Sequence, residues 1–172
     1  MYKVICFQQH KPTIFKHIWK NASMLRYNFF AWLLIYDRIN TRNLLKRKKF
    51  HMPSHNCVLC NAKPEETSQH LFWDCDFALD CWSSITNTQR GFDTMEEMDN
   101  MINNLPHGIA WEIVIIGCWN IWMIRNNLIF KNIAPQPHTW RTNMRQDMQL
   151  ILYRIKSKHY DLLQAWIVAN LS

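Results

Sequence analysis

The amino-acid sequence predicts a mainly α-helical protein: a small helical domain organised around one metal site, followed by a C-terminal helical extension. Three observations support this fold class. Only three glycines and six prolines interrupt 172 residues, and 48% of the residues are hydrophobic, which is ample for a core. The apolar residues recur at helical spacing more often than in alternation. A compact group of cysteines with a histidine has the spacing of metal ligands.

The first strong helix is predicted from Met24 to Tyr36, after an irregular lead-in over residues 1–12. Ser23 precedes the apolar run and is a suitable N-cap residue. One face of this helix is expected to enter the core because its apolar side chains follow the helical period. That face consists of Leu25, Phe29, Trp32 and Leu33, widened by Phe30, Leu34 and Ile35.

A short basic helix is predicted next, capped by Thr41 and running from Arg42 to about Lys49. Residues 1–64 contain twelve Lys/Arg and one acid, Asp37, for a net charge of +11. Residues 65–172 contain eight Lys/Arg and twelve acids, for a net charge of −4. Such an asymmetry favours an anionic partner such as nucleic acid. The alternative is a solvated basic face without a partner.

The metal pattern is Cys57-x-x-Cys60 followed by His70 and Cys75. Three thiolates and one imidazole are soft ligands that suit one tetrahedral Zn²⁺. All four positions are filled by the protein, so the predicted zinc is structural and not catalytic. The alternative is a set of ordinary buried cysteines beside a surface histidine. The remaining cysteines are expected to be reduced, mostly buried thiols; they are Cys6, Cys81 and Cys118.

The second half is predicted to continue as helices. Asp76 is expected to cap a helix over residues 77–85, and residues 87–107 form a polar linker with at most a short helix. The segment 108–130 is apolar almost all round, which is typical of a buried helix. Thr139 is expected to cap an amphipathic helix over residues 139–168, with a break near His159. The metal module is thus assigned to residues 13–86, and the C-terminal helical region to residues 108–172.

Several motifs together resemble the zinc-binding domain downstream of the polymerase in plant non-LTR (LINE-type) retrotransposon reverse transcriptases. The residues that carry this resemblance are Trp32, Asp37 to Thr41, Leu44 to Arg47, Cys57, Cys60, Glu66, Thr67, His70 to Phe72, Cys75, Phe77 and Trp82. A weaker signature, Trp119, Trp122, Arg125-Asn126 and Phe130, extends it to about residue 132. Arg125 is expected to be a helix-end cation or a nucleic-acid contact. The chain departs from the family pattern where Phe50-His51 replace the glycine common after the basic helix.

No catalytic constellation is recognisable, so the protein is expected not to be an enzyme. The sequence has no Tyr/Phe-x-Asp-Asp pair, no acids gathered on predicted strands and no phosphate-binding glycine-rich loop. Phe72 and Trp73 are expected to cover the metal module, although exposed aromatic residues can also stack on bases.

The resemblance implies a module that helps to hold template RNA or target DNA. From the charge we expect RNA or DNA to bind the basic segment 38–51, with phosphates contacted by Arg42, Lys46, Arg47, Lys48 and Lys49. Two alternatives remain: a protein-interaction module in which helix 108–130 docks on a partner or a second copy, and a remnant reading frame without a selected role. An intracellular location, in nucleus or cytoplasm, is expected, since neither a signal peptide nor a full membrane span is visible.

Overall fold

The computed structural model describes residues 17–86 and 94–171, with the backbone alone at residues 94–97. These residues form helices and one isolated β-bridge, with no strand among them. The mainly α fold class is therefore confirmed. The elements are α1 (Leu25–Ile35), α2 (Arg42–Arg47), a π-helical segment (His70–Asp74), α3 (Asp76–Ser83), α4 (Thr94–Asn104), α5 (Ala110–Lys131), α6 (Pro137–Ile151), a 3₁₀ turn (Ser157–His159) and α7 (Tyr160–Leu171). The predicted lead-in, residues 1–12, lies outside the described residues.

Helix α5 lies at the centre of the fold. It packs against α1, α4, α6 and the π-helical segment. Its 22 residues and mean hydropathy of 1.4 would suffice for a membrane span, but 56% of that apolar window is buried inside the protein. A soluble protein is compatible with this helix, because a core helix has the same composition. Its one interior amide, Asn120, donates to Asp147 of α6 at 2.9 Å and so ties these two helices together.

The predicted core face of α1 is partly correct, because Phe30 and Leu34 are buried and Leu33 and Ile35 pack against the core, as expected. Leu25 is 71% exposed and Phe29 52% exposed, whereas Phe30 is buried. Phe30 meets Phe72 edge-on at a ring-centroid distance of 6.0 Å, and Trp119 of α5 at 5.4 Å. Because α1 is apolar on nearly every side, its periodicity alone could not select the face that α5 covers. The other buried side chains of α1 are Tyr27, Asn28, Ala31 and Leu34.

The predicted caps were partly correct. Thr41 caps α2 as expected, and its hydroxyl oxygen accepts a hydrogen bond from the Leu44 N–H at 3.3 Å. Ser23 does not cap α1, which begins one residue further along, after Met24. Helix α6 begins at Pro137 instead of after Thr139, because proline is favoured in the first turn, where its missing N–H needs no partner.

Helix α2 ends at Arg47, two residues earlier than predicted, in a left-handed turn. Lys49 has φ 61°. The Lys49 N–H donates to the Lys46 carbonyl at 2.9 Å, and the Phe50 N–H donates to the Leu45 carbonyl at 3.0 Å. This is the Schellman ending that glycine usually supplies. The turn therefore forms without the glycine, with a lysine in a backbone conformation that L-residues seldom adopt.

Part of the segment predicted to be a polar linker forms a helix that is longer than expected. Helix α4 is 11 residues long, and Met98, Met101 and Leu105 are buried. These side chains belong to the same hydrophobic cluster as residues of the metal module and of the C-terminal helices. The described parts of the two predicted domains therefore share one core.

Trp82 of α3 is the packing centre between the module and the C-terminal helices. Its indole N–H donates to the Phe72 carbonyl at 2.8 Å, and its ring meets Trp140 edge-on at 5.5 Å. Gly117 of α5 lies directly beneath it, since a Cβ there would stand 2.3 Å from the Trp82 ring. The Trp140 indole N–H donates to the Gly117 carbonyl at 3.0 Å. Glycine is thus required by this close approach of helix and ring.

We predict that Gly117→Ala destabilises the fold by about 1–3 kcal/mol, as overpacked core substitutions do. Denaturant unfolding should show the loss. In a Trp82→Leu background the same change should have little cost, because the clash is gone and alanine is the better helix former by about 1 kcal/mol. An equal penalty in both backgrounds would contradict the proposed contact.

Candidate metal centre

Cys57 and Cys60 lie on a tight loop that is closed at its base. Asn56 and Glu65 form the isolated antiparallel bridge, and the Cys57 N–H donates to the Pro64 carbonyl at 2.7 Å. The loop between them turns through Lys63, whose φ is 49°. This short closed loop directs both cysteine side chains of the Cys-x-x-Cys pair to one point.

His70 and Cys75 reach the same point from the following helix. Thr67 caps this helix, since its hydroxyl accepts a hydrogen bond from the His70 N–H at 3.0 Å. The segment is π-helical, and the Cys75 N–H donates to the His70 carbonyl at 2.7 Å. In an α-helix, residues five apart point about 140° away from each other. The wider π-turn brings the two ligand positions to one side, a common use of such turns at functional sites.

The four side chains form one cluster whose dimensions match a tetrahedral zinc site. Their ligand atoms all lie within 4.8 Å of one another. The sulfurs of Cys57 and Cys75 are 3.8 Å apart, and the Cys60 sulfur is 3.4 Å from His70 Nε2. A tetrahedron with zinc–sulfur and zinc–nitrogen bonds of ordinary length has edges of about 3.8 Å and 3.5 Å. The residues present therefore fit one structural zinc ion, which confirms the predicted cofactor.

Hydrogen bonding and burial set the charge of the cluster. The pKa of Cys57 is lowered to about 4, chiefly because the Cys75 thiol donates a hydrogen bond to it. The same hydrogen bond raises the pKa of Cys75, and burial raises that of Cys60. The protein groups by themselves therefore favour one thiolate among three sulfurs. A bound divalent cation would favour three, because coordinating thiols are deprotonated.

Backbone donors support negative charge at all three sulfurs. The Leu59 N–H donates to Cys57 at 3.4 Å, the Lys63 N–H donates to Cys60, and the Ala78 N–H donates to Cys75. Hydrogen bonds to the charged form of a thiol stabilise that form. The loop and the start of α3 thus provide an environment suited to thiolate ligands.

Comparison with known families agrees with this geometry. Residues 1–82 match the family model described as zinc-binding in reverse transcriptase. The match supports the assignment of this segment as a reverse transcriptase zinc-binding domain. The plant non-LTR retrotransposon type remains a prediction of the sequence motifs. A search of curated proteins and a search of solved structures found no match.

A buried ion pair fastens the zinc-binding domain to α5. Arg125 Nη2 lies 2.6 Å from Glu66 Oε1, and Arg125 Nε lies 3.3 Å from Glu66 Oε2. Both residues are buried, and the guanidinium also lies over the Trp122 ring at 4.8 Å. The expectation that Arg125 is a helix-end cation or a nucleic-acid contact is therefore wrong. Sequence reasoning missed the pair because its members are 59 positions apart, although each stands in a recognised motif.

The five cations predicted to contact phosphate all lie on α2 or within two residues of its end. Lys46, Arg47, Lys48 and Lys49 are exposed, and Arg42 is half-buried. Lys46 pairs with Glu65 at 3.0 Å, and Arg47 pairs with Asp37. The two acids that flank the basic segment thus each engage one of its cations, an arrangement that the sequence did not suggest.

The other three cations form no ion pair with an acid among the described residues. Lys48 donates to Asn40 at 3.1 Å, and Arg42 donates to the Asn56 carbonyl at 2.9 Å. Among the described residues the Lys49 side chain has no hydrogen-bond or ion-pair partner. None of the five lines the cleft of about 680 Å³ near the start of α5, and no zinc-cluster residue lines it either. The basic surface and the zinc cluster are thus separate from that cleft.

We predict that Cys57→Ser or Cys75→Ser loses the zinc and lowers the unfolding free energy by more than about 3 kcal/mol, since metal binding contributes about 10–16 kcal/mol in zinc-finger peptides. Metal analysis of freshly purified, reduced protein should find one zinc in the parent and none in either variant. Cys81→Ala is the control: Cys81 is buried outside the cluster, so this variant should keep one zinc. Loss of zinc from it would show that the ligand set is misassigned.

Removing one member of the ion pair should be more damaging than removing both. Arg125→Met leaves the Glu66 carboxylate buried without its counter-ion, which costs about 3–5 kcal/mol in comparable pairs. The double variant Glu66→Gln/Arg125→Met should recover much of that loss in denaturant unfolding. Arg145→Met, at an exposed position on α6, should leave stability nearly unchanged. Similar losses in the single and double variants would argue against coupling between the two residues.

Proposed function

We propose that the protein is a nucleic-acid-binding module in which a structural zinc site holds a basic surface in a fixed orientation. One observation carries this proposal: cations at four successive exposed positions, Lys46 to Lys49, lie at the end of α2 and in the turn that follows it, and α2 is fastened to the ligand-bearing segments. Cation clusters of this kind neutralise phosphates and release counterions, which supplies the sequence-independent part of nucleic-acid binding.

The attachment of α2 explains how zinc would act at a distance. The Arg42 N–H donates to Glu66 Oε1 at 3.0 Å, and the Asn43 N–H donates to the Glu66 carbonyl at 3.1 Å. Glu66 directly precedes Thr67, which caps the helix carrying His70. Zinc would therefore stabilise the helix start on which α2 rests. Cations held on a rigid element lose less conformational entropy when they bind phosphate.

A second link fixes the far end of the basic surface. The Ser68 hydroxyl donates to Asp37 Oδ1 at 2.7 Å, and the other Asp37 oxygen pairs with Arg47. Ion pairs at exposed positions contribute only about 0–1 kcal/mol. Phosphate would thus replace Glu65 beside Lys46 at little cost. Lys48 and Lys49 carry charge that no acid of the described residues pairs with.

The proposal includes no catalytic activity and an intracellular location. The protein-interaction alternative relied on the tryptophan-rich helix 108–130. That segment corresponds to α5, of which twelve of 22 residues are buried within the protein itself. Its three tryptophans pack against the core, although Phe130 is 76% exposed. We therefore favour RNA or DNA as the partner, bound through the segment 38–51.

We predict that Lys46→Ala/Lys48→Ala/Lys49→Ala weakens binding to RNA and DNA of any sequence and reduces the slope of log affinity against log salt by about two units. Arg42 is left in place because it donates to the backbone of the metal loop, and Arg47 because its partner Asp37 also accepts from Ser68. The contacts of Lys46 and Lys48 join exposed side chains only. Fluorescence anisotropy titrations at several salt concentrations measure both quantities.

The matched control is Arg145→Ala/Lys156→Ala/Lys158→Ala, which makes the same change in charge at exposed positions of the C-terminal half. It should leave the slope nearly unchanged, and both triple variants should retain one zinc. If the α2 variant kept the parent's affinity and slope, the basic segment would be a solvated face and the proposal would fail.

A further inference from the structure

An aromatic ladder runs along the outer side of α1. It consists of Phe29, Trp32 and Tyr36, at positions i, i+3 and i+7, which share one face of a helix. The ring centroids of Phe29 and Trp32 are 5.7 Å apart with an interplanar angle of 24°. Those of Trp32 and Tyr36 are 5.4 Å apart at 55°. Three rings thus follow one another in contact along about two turns of helix.

This ladder lies outside the hydrophobic core. Leu33 and Ile35 of the same helix pack against the core cluster, whereas within the described part of the chain neither Phe29 nor Trp32 belongs to that cluster or to the side chains packed on it. Phe29 is 52% exposed, and Trp32 and Tyr36 are half-buried. Contiguous apolar surface that a fold leaves open usually marks a site of interaction.

Cations border the ladder at both ends. Arg26 stands one turn before Phe29; its side chain is about half exposed (52%) and lies 3.6 Å from the Asp147 carboxylate. Tyr36 directly precedes Asp37, the residue that pairs with Arg47 of the basic surface. Arg38 is exposed beside it. The ladder and the basic surface therefore meet at the turn after α1, so that one ligand can reach both.

We propose that the ladder is a base-stacking platform for single-stranded nucleic acid, and this inference rests on the function proposed above. Aromatic rings accept the faces of unpaired bases of any sequence, while neighbouring cations contact the phosphates. A purely apolar protein partner would have to cover the exposed Arg38 guanidinium without neutralising it, at a desolvation cost. A single strand supplies both the flat apolar faces and the negative charge.

Two expected binding properties distinguish base stacking on the ladder from phosphate contact by the basic surface. In a duplex the bases are already stacked on each other, so the ladder should favour single strands of RNA or DNA over duplex. Stacking releases no counterions, so loss of a ladder ring should lower affinity without changing the salt slope, which depends on phosphate contacts.

The test compares Phe29→Leu and Trp32→Leu in the full chain with the parent. The probes are fluorescein-labelled 12-nucleotide rU and dT strands and a 12-base-pair DNA duplex. Each variant should bind both single strands about 5- to 150-fold more weakly, the range expected for one stacked base. Duplex affinity, salt slope and zinc content should remain those of the parent. Tyr153→Leu, at an 89% exposed aromatic residue on the α6–α7 connection, is the control and should change nothing.

A second readout is the quenching of tryptophan fluorescence by added dT strand, which should be smaller in Trp32→Leu than in the parent. Unchanged single-strand affinity in both ladder variants would overturn the platform while leaving the phosphate-binding function intact. Equal losses on single strand and duplex would overturn it as well.

Two further outcomes would also decide the matter. A parent that binds no nucleic acid at all would overturn both proposals. A parent that sediments as a dimer and becomes monomeric in the ladder variants, with single-strand affinity unchanged, would assign the ladder to contact with a second copy of the chain.

Discussion

The buried pair between Glu66 and Arg125 is the interaction on which the arrangement of the whole molecule depends. Every polar group of Glu66 is engaged: its carboxylate accepts from Arg125 and from the Arg42 N–H, its N–H donates to the His55 carbonyl, and its carbonyl accepts from Asn43. One residue thus joins the metal loop, the basic helix and the central helix. A buried charge is tolerated only when it is this fully paired.

A buried ion pair contributes little net stability, because the cost of desolvating both charges offsets most of their attraction. Its main effect is to fix the relative orientation of the two segments that carry the charges. A well-packed apolar pair of the same volume would hold the two parts together at least as strongly, but with less directional constraint. The bidentate fork fixes both the distance and the angle between α5 and the residues that precede the helix of His70. The metal cluster would therefore have two supports: the zinc that its four ligands would hold, and the Arg125 guanidinium bound to Glu66.

The sequence predicted the parts of the structure that depend on local chemistry. The four-residue cluster, the Thr41 cap and the buried helix each follow from spacing or composition within a few residues, and all three are present. The face of α1 was predicted only in part, because two overlapping apolar stripes satisfy the same period and only the distant α5 selects between them. The role of Arg125 was missed for the same kind of reason, since its partner lies in another motif. Hydrophobic periodicity shows which faces of a helix could be buried. It does not show which of those faces a distant helix covers.

The part of the predicted α1 face that lies outside the core also has a physical meaning. A helix with two apolar stripes buries one and exposes the other, and exposed aromatic surface carries a cost in solubility that charged neighbours offset. Here the exposed stripe is bordered by Arg26 and Arg38, and it ends beside the pair of Asp37 with Arg47. The buried stripe is fixed by Phe30 against Phe72, in the helix that carries His70. The metal-bearing segment and the exposed ladder are therefore opposite sides of one helix, so the orientation of the ladder is determined by the same packing that orients the zinc ligands.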